Sequence, residues 1–173
     1  MKLYNLTAST FLTWALHPKV KSRIRGIVEH HVHHLSVSKY QKLPKVHEKV
    51  LGDSGTSREK WFLSENMPTI IQDSLCVMSE ENVRCLYADL VLIGRIDQLY
   101  GYNGQSILVD TKSHKKVTFA DQLQLSFYAF ILHTLKYKVT SVAFIRTVYS
   151  TIQYHEVEII PPSAMEEIFS LID

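Results

Sequence analysis

Cysteine is scarce: the 173-residue chain has two, Cys76 and Cys85. Two thiols cannot build a disulfide framework, and they are too few to hold an iron–sulfur cluster. Both sit in apolar, strand-like runs, the pattern of reduced, buried thiols in a cytoplasmic protein. Long apolar runs are missing too. None approaches the ~18 residues that a membrane span needs. Residues 1–7 carry no secretory h-region, so neither a membrane partner nor export is expected. Charge of one sign is not in excess, with 19 Lys and Arg against 17 Asp and Glu. The resulting net charge of +2 permits nucleic-acid binding without arguing for it. Internal repeats and low-complexity tracts are absent as well. At 46% hydrophobic and 21% charged residues, disorder is not indicated and one globular domain with a sizeable core is expected.

That domain divides into a helical part and loop (1–58), a sheet with its helix (59–160) and a closing helix (161–173). Residues 7–17 have a helical pattern that Thr7 or Ser9 can cap, and Pro18 ends that helix or begins the next. A second helical pattern covers 20–43, with Lys19, Lys21, Arg23 and Arg25 crowding its first turns. Cations there oppose the helix dipole, so they form a solvated face or a phosphate-facing one. Residues 44–58 read as a loop around Gly52-Asp53-Ser54-Gly55. Strands are expected over 69–78, 83–102 and 107–111, with a turn at Ser79-Glu80-Glu81-Asn82. A strong helix over 120–137 buries Leu123, Phe127, Phe130, Ile131 and Leu135. A terminal hairpin over 139–149 and 151–160 precedes a short helix opened by Pro161-Pro162. The fold class this implies is α/β with α+β character, a central mixed sheet flanked by helices on both faces.

The chemistry gathers around one turn. Asn103-Gly104 favours a two-residue type I′ turn, which places Asp97 opposite Asp110 and Arg95 opposite Lys112. Opposed residues have Cβ atoms ~4.5–5.5 Å apart, so the two carboxylates repel unless a cation lies between them. Alternation puts Asp110 and Lys112 on one face. A divalent ion held by both aspartates would remove the repulsion and polarise a phosphate, with Lys112 orienting water or stabilising charge in the transition state. Either aspartate alone reads as a strand-end residue paired with Arg95 or Lys112. The pair in register reads as a site.

Gly94-Arg95-Ile96-Asp97, Leu108-Val109-Asp110-Thr111-Lys112 and Gln124-Leu125-Ser126-Phe127-Tyr128 together resemble the PD-(D/E)XK nuclease superfamily. More narrowly they are similar to RecB-like and Cas4-like nucleases, which carry G-x-x-D, D-x-K and Q-x-x-x-Y in that order. A fourth element, Gly26-Ile27-Val28-Glu29-His30, fits the G-x-x-x-H pattern of those families. The resemblance implies a restriction-endonuclease-like core and a Mg²⁺- or Mn²⁺-dependent DNA nuclease acting on single strands or duplex ends. It implies Asp97, Asp110 and Lys112 as catalytic residues, and His30, Asp97, Asp110 and the Thr111 carbonyl as metal ligands. His33 and His34 are the alternatives to His30. It further implies Gln124 and Tyr128, with Arg95 and Lys115, as substrate contacts, and protein partners in recombination or CRISPR adaptation. His114 and Lys116 beside Lys115 read equally as phosphate contacts or as a solvated loop. The family's cluster-binding cysteines have no counterpart: Leu16-His17-Pro18 stands at the N-terminal position, and no cysteine follows Cys85. The expectation is therefore a nuclease without an iron–sulfur cluster. A DNA-end-binding or assembly subunit and an RNA-processing endonuclease of the same fold are the alternatives.

Overall fold

Thr7 ends a strand and starts a helix. Its hydroxyl accepts the Thr10 N–H at 3.1 Å, an N-cap of the kind the sequence suggested. The computed structural model describes residues 3–37, 67–148 and 151–172, with side chains for all of these except 29–37. Its elements are β1 (Tyr4–Thr7), α1 (Ala8–Ala15), α2 (Pro18–Val37), α3 (Thr69–Gln72), β2 (Leu75–Tyr87), β3 (Leu90–Tyr102), β4 (Gln105–Lys112), α4 (Phe119–Thr134), β5 (Val142–Val148), β6 (Ile152–Glu158) and α5 (Pro162–Phe169). Pro18 is the first residue of α2, where its missing N–H costs no hydrogen bond. The expected loop over 44–58 lies outside the described residues.

The fold is mixed α/β: six strands form one mixed sheet flanked by helices. β3 is its spine. One edge of β3 pairs antiparallel with β2 along most of its length. The other edge is shared, with β1 running parallel beside residues 90–93 and β4 antiparallel beside 98–102. β4 then pairs parallel with β5, the crossover being α4, and β6 closes the order as a hairpin with β5.

Two cores result. On one face, α1, α4 and α5 bury Phe11, Phe127, Phe130 and Phe169 against Leu92, Ile96, Leu99, Leu108 and Ile145. Phe11 stacks on Phe127 at 5.0 Å between centroids, and Phe130 meets Phe169 edge-on at 5.0 Å. Each such pair adds ~0.5–1.5 kcal/mol beyond its burial. On the other face, Met67, Ile70 and Ile71 cover Tyr100, Ile107, Val109 and Phe144.

Several boundaries differ from expectation. β1 has no counterpart among the expected strands: four residues give too little alternation to read. Residues 69–78 do not form one strand. Thr69–Gln72 is a helical turn and β2 begins at Leu75. The turn expected at residues 79–82 lies inside β2, where Glu80 takes φ +55°. The real turn is Ala88-Asp89, with Ala88 at φ +52°, so residues 83–102 are two strands. No glycine or asparagine marks it. α4 stops at Thr134 because Lys136, at φ +74°, closes it. The Tyr137 N–H reaches the Leu132 carbonyl at 2.9 Å and the Lys136 N–H that of His133 at 3.0 Å, a Schellman motif without its usual glycine. Leu135 is therefore exposed, although Leu123, Phe127, Phe130 and Ile131 are buried as expected. Neither cysteine forms a disulfide; Cys85 is buried, but Cys76 is exposed beside the register shift at Cys76/Met78. No helix among the described residues is long and apolar enough to cross a membrane.

Candidate active site

The Asn103-Gly104 turn forms as its chemistry requires. Both residues have positive φ, +48° and +75°, and the ladder runs from Tyr102–Gln105 to Gln98–Val109 in the expected register. There the two strands part. Beyond Val109, β4 keeps only β5, and residues 94–97 of β3 lie between the end of the β1 ladder and the start of the β4 ladder. Side-chain alternation also slips at this place: Leu92 and Ile96 face the main core, and so does Leu99, three residues on. Asp97 stands at the slip. Its Oδ2 accepts the Thr111 N–H at 2.9 Å, replacing the ladder bond that the parted strands no longer make.

Asp110 follows Val109 on β4 and is 4% exposed. Its Oδ2 lies 2.9 Å from Lys112 Nζ but receives no aligned hydrogen bond. Burial pushes the carboxyl up to about 6; the Lys112 ammonium pulls it down, and the Asp97 charge pushes it up again. Burying a carboxylate is costly, and the Lys112 ammonium offsets part of that cost.

Lys112 is pinned from its other side. Its ammonium donates to Gln124 Oε1 on α4, and Gln124 Nε2 donates to the Tyr128 hydroxyl at 2.9 Å. Gln124 and Tyr128 share a helix face because they are four residues apart. Tyr128 packs against Gly94, where an added Cβ would come within 2.8 and 2.9 Å of its ring. Burial, then the nearby Asp110 and Asp97 charges, hold the Tyr128 hydroxyl above its ordinary value, against a lowering from the Gln124 hydrogen bond. One chain of contacts thus joins Gly94, Tyr128, Gln124, Lys112, Asp110 and, across the notch, Asp97.

Other expected residues lie apart. Arg95 is exposed and pairs with Glu80 at 2.6 Å on β2 rather than facing Lys112. The ladder ends at Gln98–Val109, so the opposition inferred from the turn holds as a strand pair neither for Asp97 and Asp110 nor for Arg95 and Lys112. Thr111, Lys115 and Lys116 are exposed. His30 falls within α2, but its side chain, like those of His33 and His34, lies outside the described residues. The spacing of the motif did not reveal what Gly94 does. Its signal, a glycine inside an apolar strand, marks close approach by another group.

The donor set fits a hard divalent cation. Two carboxylates adjoin, one of them is buried with its charge only partly offset by Lys112, and a second positive charge there would relieve the remaining repulsion. Among the described residues no group of three or more His, Cys, Asp or Glu gathers.

The chain matches no family model and no curated protein. It is similar to a solved structure titled "Crystal structure of SSO0001", at 10% identity and a TM-score of 0.43, over 99% of this chain and 78% of that one. A likeness at that level carries no argument about activity.

Proposed function

We propose that the chain is a metal-dependent nuclease that hydrolyses phosphodiester bonds in DNA, acting on single strands or duplex ends in the manner of RecB-like and Cas4-like enzymes of the PD-(D/E)XK superfamily. The observation that supports this most directly is Asp110: a buried carboxylate close enough to Asp97 to feel its charge, with the Lys112 ammonium 2.9 Å from its Oδ2.

In this reading Asp97, Asp110, the Thr111 carbonyl and His30 would hold Mg²⁺ or Mn²⁺, which would supply Lewis acidity when bound. The chain's own groups do the rest. Lys112 presents an ammonium to the charge that builds on phosphorus, or orients the attacking water. Gln124 fixes where that ammonium sits, and Tyr128 fixes Gln124. Gln124 thus acts on the substrate through Lys112, a narrower role than direct contact.

The test is incubation of labelled single-stranded DNA, duplex DNA and RNA with the protein, each with Mn²⁺ and with EDTA. DNA cleavage in Mn²⁺ alone, lost in Asp110→Asn and Lys112→Ala, is the expected outcome, with activity falling at least ~10²-fold if these groups stabilise the transition state. Retained cleavage in those variants refutes the assignment. Cleavage confined to RNA would make the chain an RNA-processing endonuclease, and binding without cleavage would make it a DNA-end-binding or assembly subunit.

A further inference from the structure

Asp121, Gln124 and Tyr128 stand at positions i, i+3 and i+7 of α4, so they share one helix face. Gln124 holds Lys112, and Tyr128 covers Gly94. Asp121 holds a histidine. His114 lies two residues past Lys112, in the loop that leads into α4, and its Nε2 is 3.2 Å from Oδ1 of Asp121. The Asp121 carboxylate is buried, and its Oδ2 accepts the Thr118 N–H at 2.8 Å and the Thr118 hydroxyl at 3.0 Å. That oxygen completes the capping box, which leaves Oδ1 for the imidazole.

This arrangement fixes the tautomer. A carboxylate only accepts hydrogen bonds, so the bond to Oδ1 takes its proton from Nε2. In the neutral ring Nδ1 is then the acceptor, and no described residue hydrogen-bonds to it. A buried carboxylate in that position also stabilises the imidazolium that forms when Nδ1 takes a proton.

The place of the ring relative to Lys112 is set twice. Along the chain the two residues are at most about 7 Å apart. On α4 their anchors, Asp121 and Gln124, are three residues apart, which puts about 5–6 Å between Cβ atoms. Two hydrogen bonds through one water span about that distance. Hydrolysis here requires a proton acceptor. Lys112, as an ammonium, has no lone pair to offer, and Asp97 and Asp110 are committed to the cation in the nuclease reading.

We propose that His114 is the general base of the reaction, taking a proton from the attacking water at Nδ1, and that Asp121 is the positioning residue that sets its tautomer. The inference rests on the nuclease reading and adds a catalytic residue outside the motifs that suggested it. Lys112 donates to the water oxygen, and the water donates to Nδ1. As that oxygen bonds to phosphorus, its proton moves to Nδ1. The bond from phosphorus to the leaving sugar oxygen breaks with its electron pair, and that oxygen takes a proton from solvent. The imidazolium returns its own proton to solvent, to which the side chain is 44% exposed.

Two substitutions isolate the roles. His114→Gln keeps an N–H for Oδ1 of Asp121 and has no base. In Asp121→Asn the Thr118 N–H still requires an oxygen, so the amide oxygen stays in the cap and the NH₂ meets Nε2. That nitrogen must then accept, and the ring proton moves to Nδ1.

Two measurements test the assignment. The first is ¹⁵N NMR of the neutral imidazole in EDTA, with the His114 signals identified by their loss in His114→Gln. Wild type should carry its proton on Nε2 and Asp121→Asn on Nδ1. A wild-type ring protonated at Nδ1 overturns the assignment, whatever the activity. The second is cleavage of labelled single-stranded DNA in Mn²⁺. Each variant should lower kcat about 10²-fold or more, with KM and the melting temperature little changed. The double variant should be no slower than His114→Gln alone, because both act through one ring. Wild-type kcat in His114→Gln removes the base role and leaves the nuclease reading standing, and losses that multiply in the double variant remove the positioning role of Asp121. If wild type cleaves nothing, the nuclease reading falls and the base role falls with it.

Discussion

The charge on Asp110 makes the protein without metal less stable at neutral pH than its packing allows. The folded-state carboxyl titrates near 6 rather than at the ordinary 3.8, so between those values the folded chain binds the proton that the unfolded chain has released. Stability contributed by this group is therefore full below about 3.8 and is lost as pH rises through 6. A tenfold change in proton affinity corresponds to about 1.4 kcal/mol, so the ionised carboxylate costs about 3 kcal/mol at pH 8. Asp110→Asn removes the charge and keeps the shape. In EDTA at pH 8 it should gain up to about 3 kcal/mol, or roughly 6–12 °C in melting temperature for a chain of this size. At pH 4 the gain should nearly vanish. Mn²⁺ at a hundred times its dissociation constant should stabilise wild type by about 2.7 kcal/mol and leave Asp110→Asn unmoved. Thermal melts across pH 4–8, with and without metal, read all of this. A variant less stable than wild type at pH 8, or one that responds to metal as wild type does, would refute the reasoning.

Two further substitutions probe the scaffold. Gly94→Ala drives a Cβ into the Tyr128 ring, so it should cost about 1–3 kcal/mol and lower kcat through Lys112, and a melt alongside a cleavage assay separates the two effects. Equal activity in that variant would mean that Lys112 does not need Tyr128. Lys136→Gly relieves a left-handed residue at the end of α4 and should gain about 1 kcal/mol with activity unchanged, read as a rise in melting temperature.

What is legible in the sequence follows from how strongly each local choice is forced. Asn103-Gly104 admits few turns other than the one it makes, so that dipeptide alone specifies the register of β3 and β4. α4 carries a full apolar stripe, and its existence is plain from that stripe. Turns at Ala88 and Lys136 are imposed by packing on residues that disfavour positive φ, so no local signal announces them. β1 is held by pairing with residues 90–93 rather than by any pattern of its own. At the site the same contrast holds. Asp97, Asp110, Lys112, Gln124 and Tyr128 are legible from motif order, whereas the Arg95–Glu80 pair and the His114–Asp121 pair depend on contacts that spacing alone does not fix.

The position of the site has a topological cause. An edge of a strand can pair with one neighbour at a time, and β3 gives one of its edges to two: β1 first, then β4. Between them, residues 94–97 have no ladder partner on that edge among the described strands. A backbone left unpaired inside a sheet must be satisfied some other way or opened to a ligand. Here both happen within four residues. Gly94, without a side chain, admits the Tyr128 ring against the strand. Asp97 turns its carboxylate across the opening and takes the N–H that β4 no longer bonds to β3. The same parting leaves Asp110 with β5 as its strand neighbour and with Lys112 as the cation against its buried oxygen. The spacing from Gly94 to Asp97 is thus the width of the break in the ladder. Lengthening β1 by pairing residues beyond Ile93, or extending the β3–β4 ladder past Gln98, would close the notch and with it the candidate site.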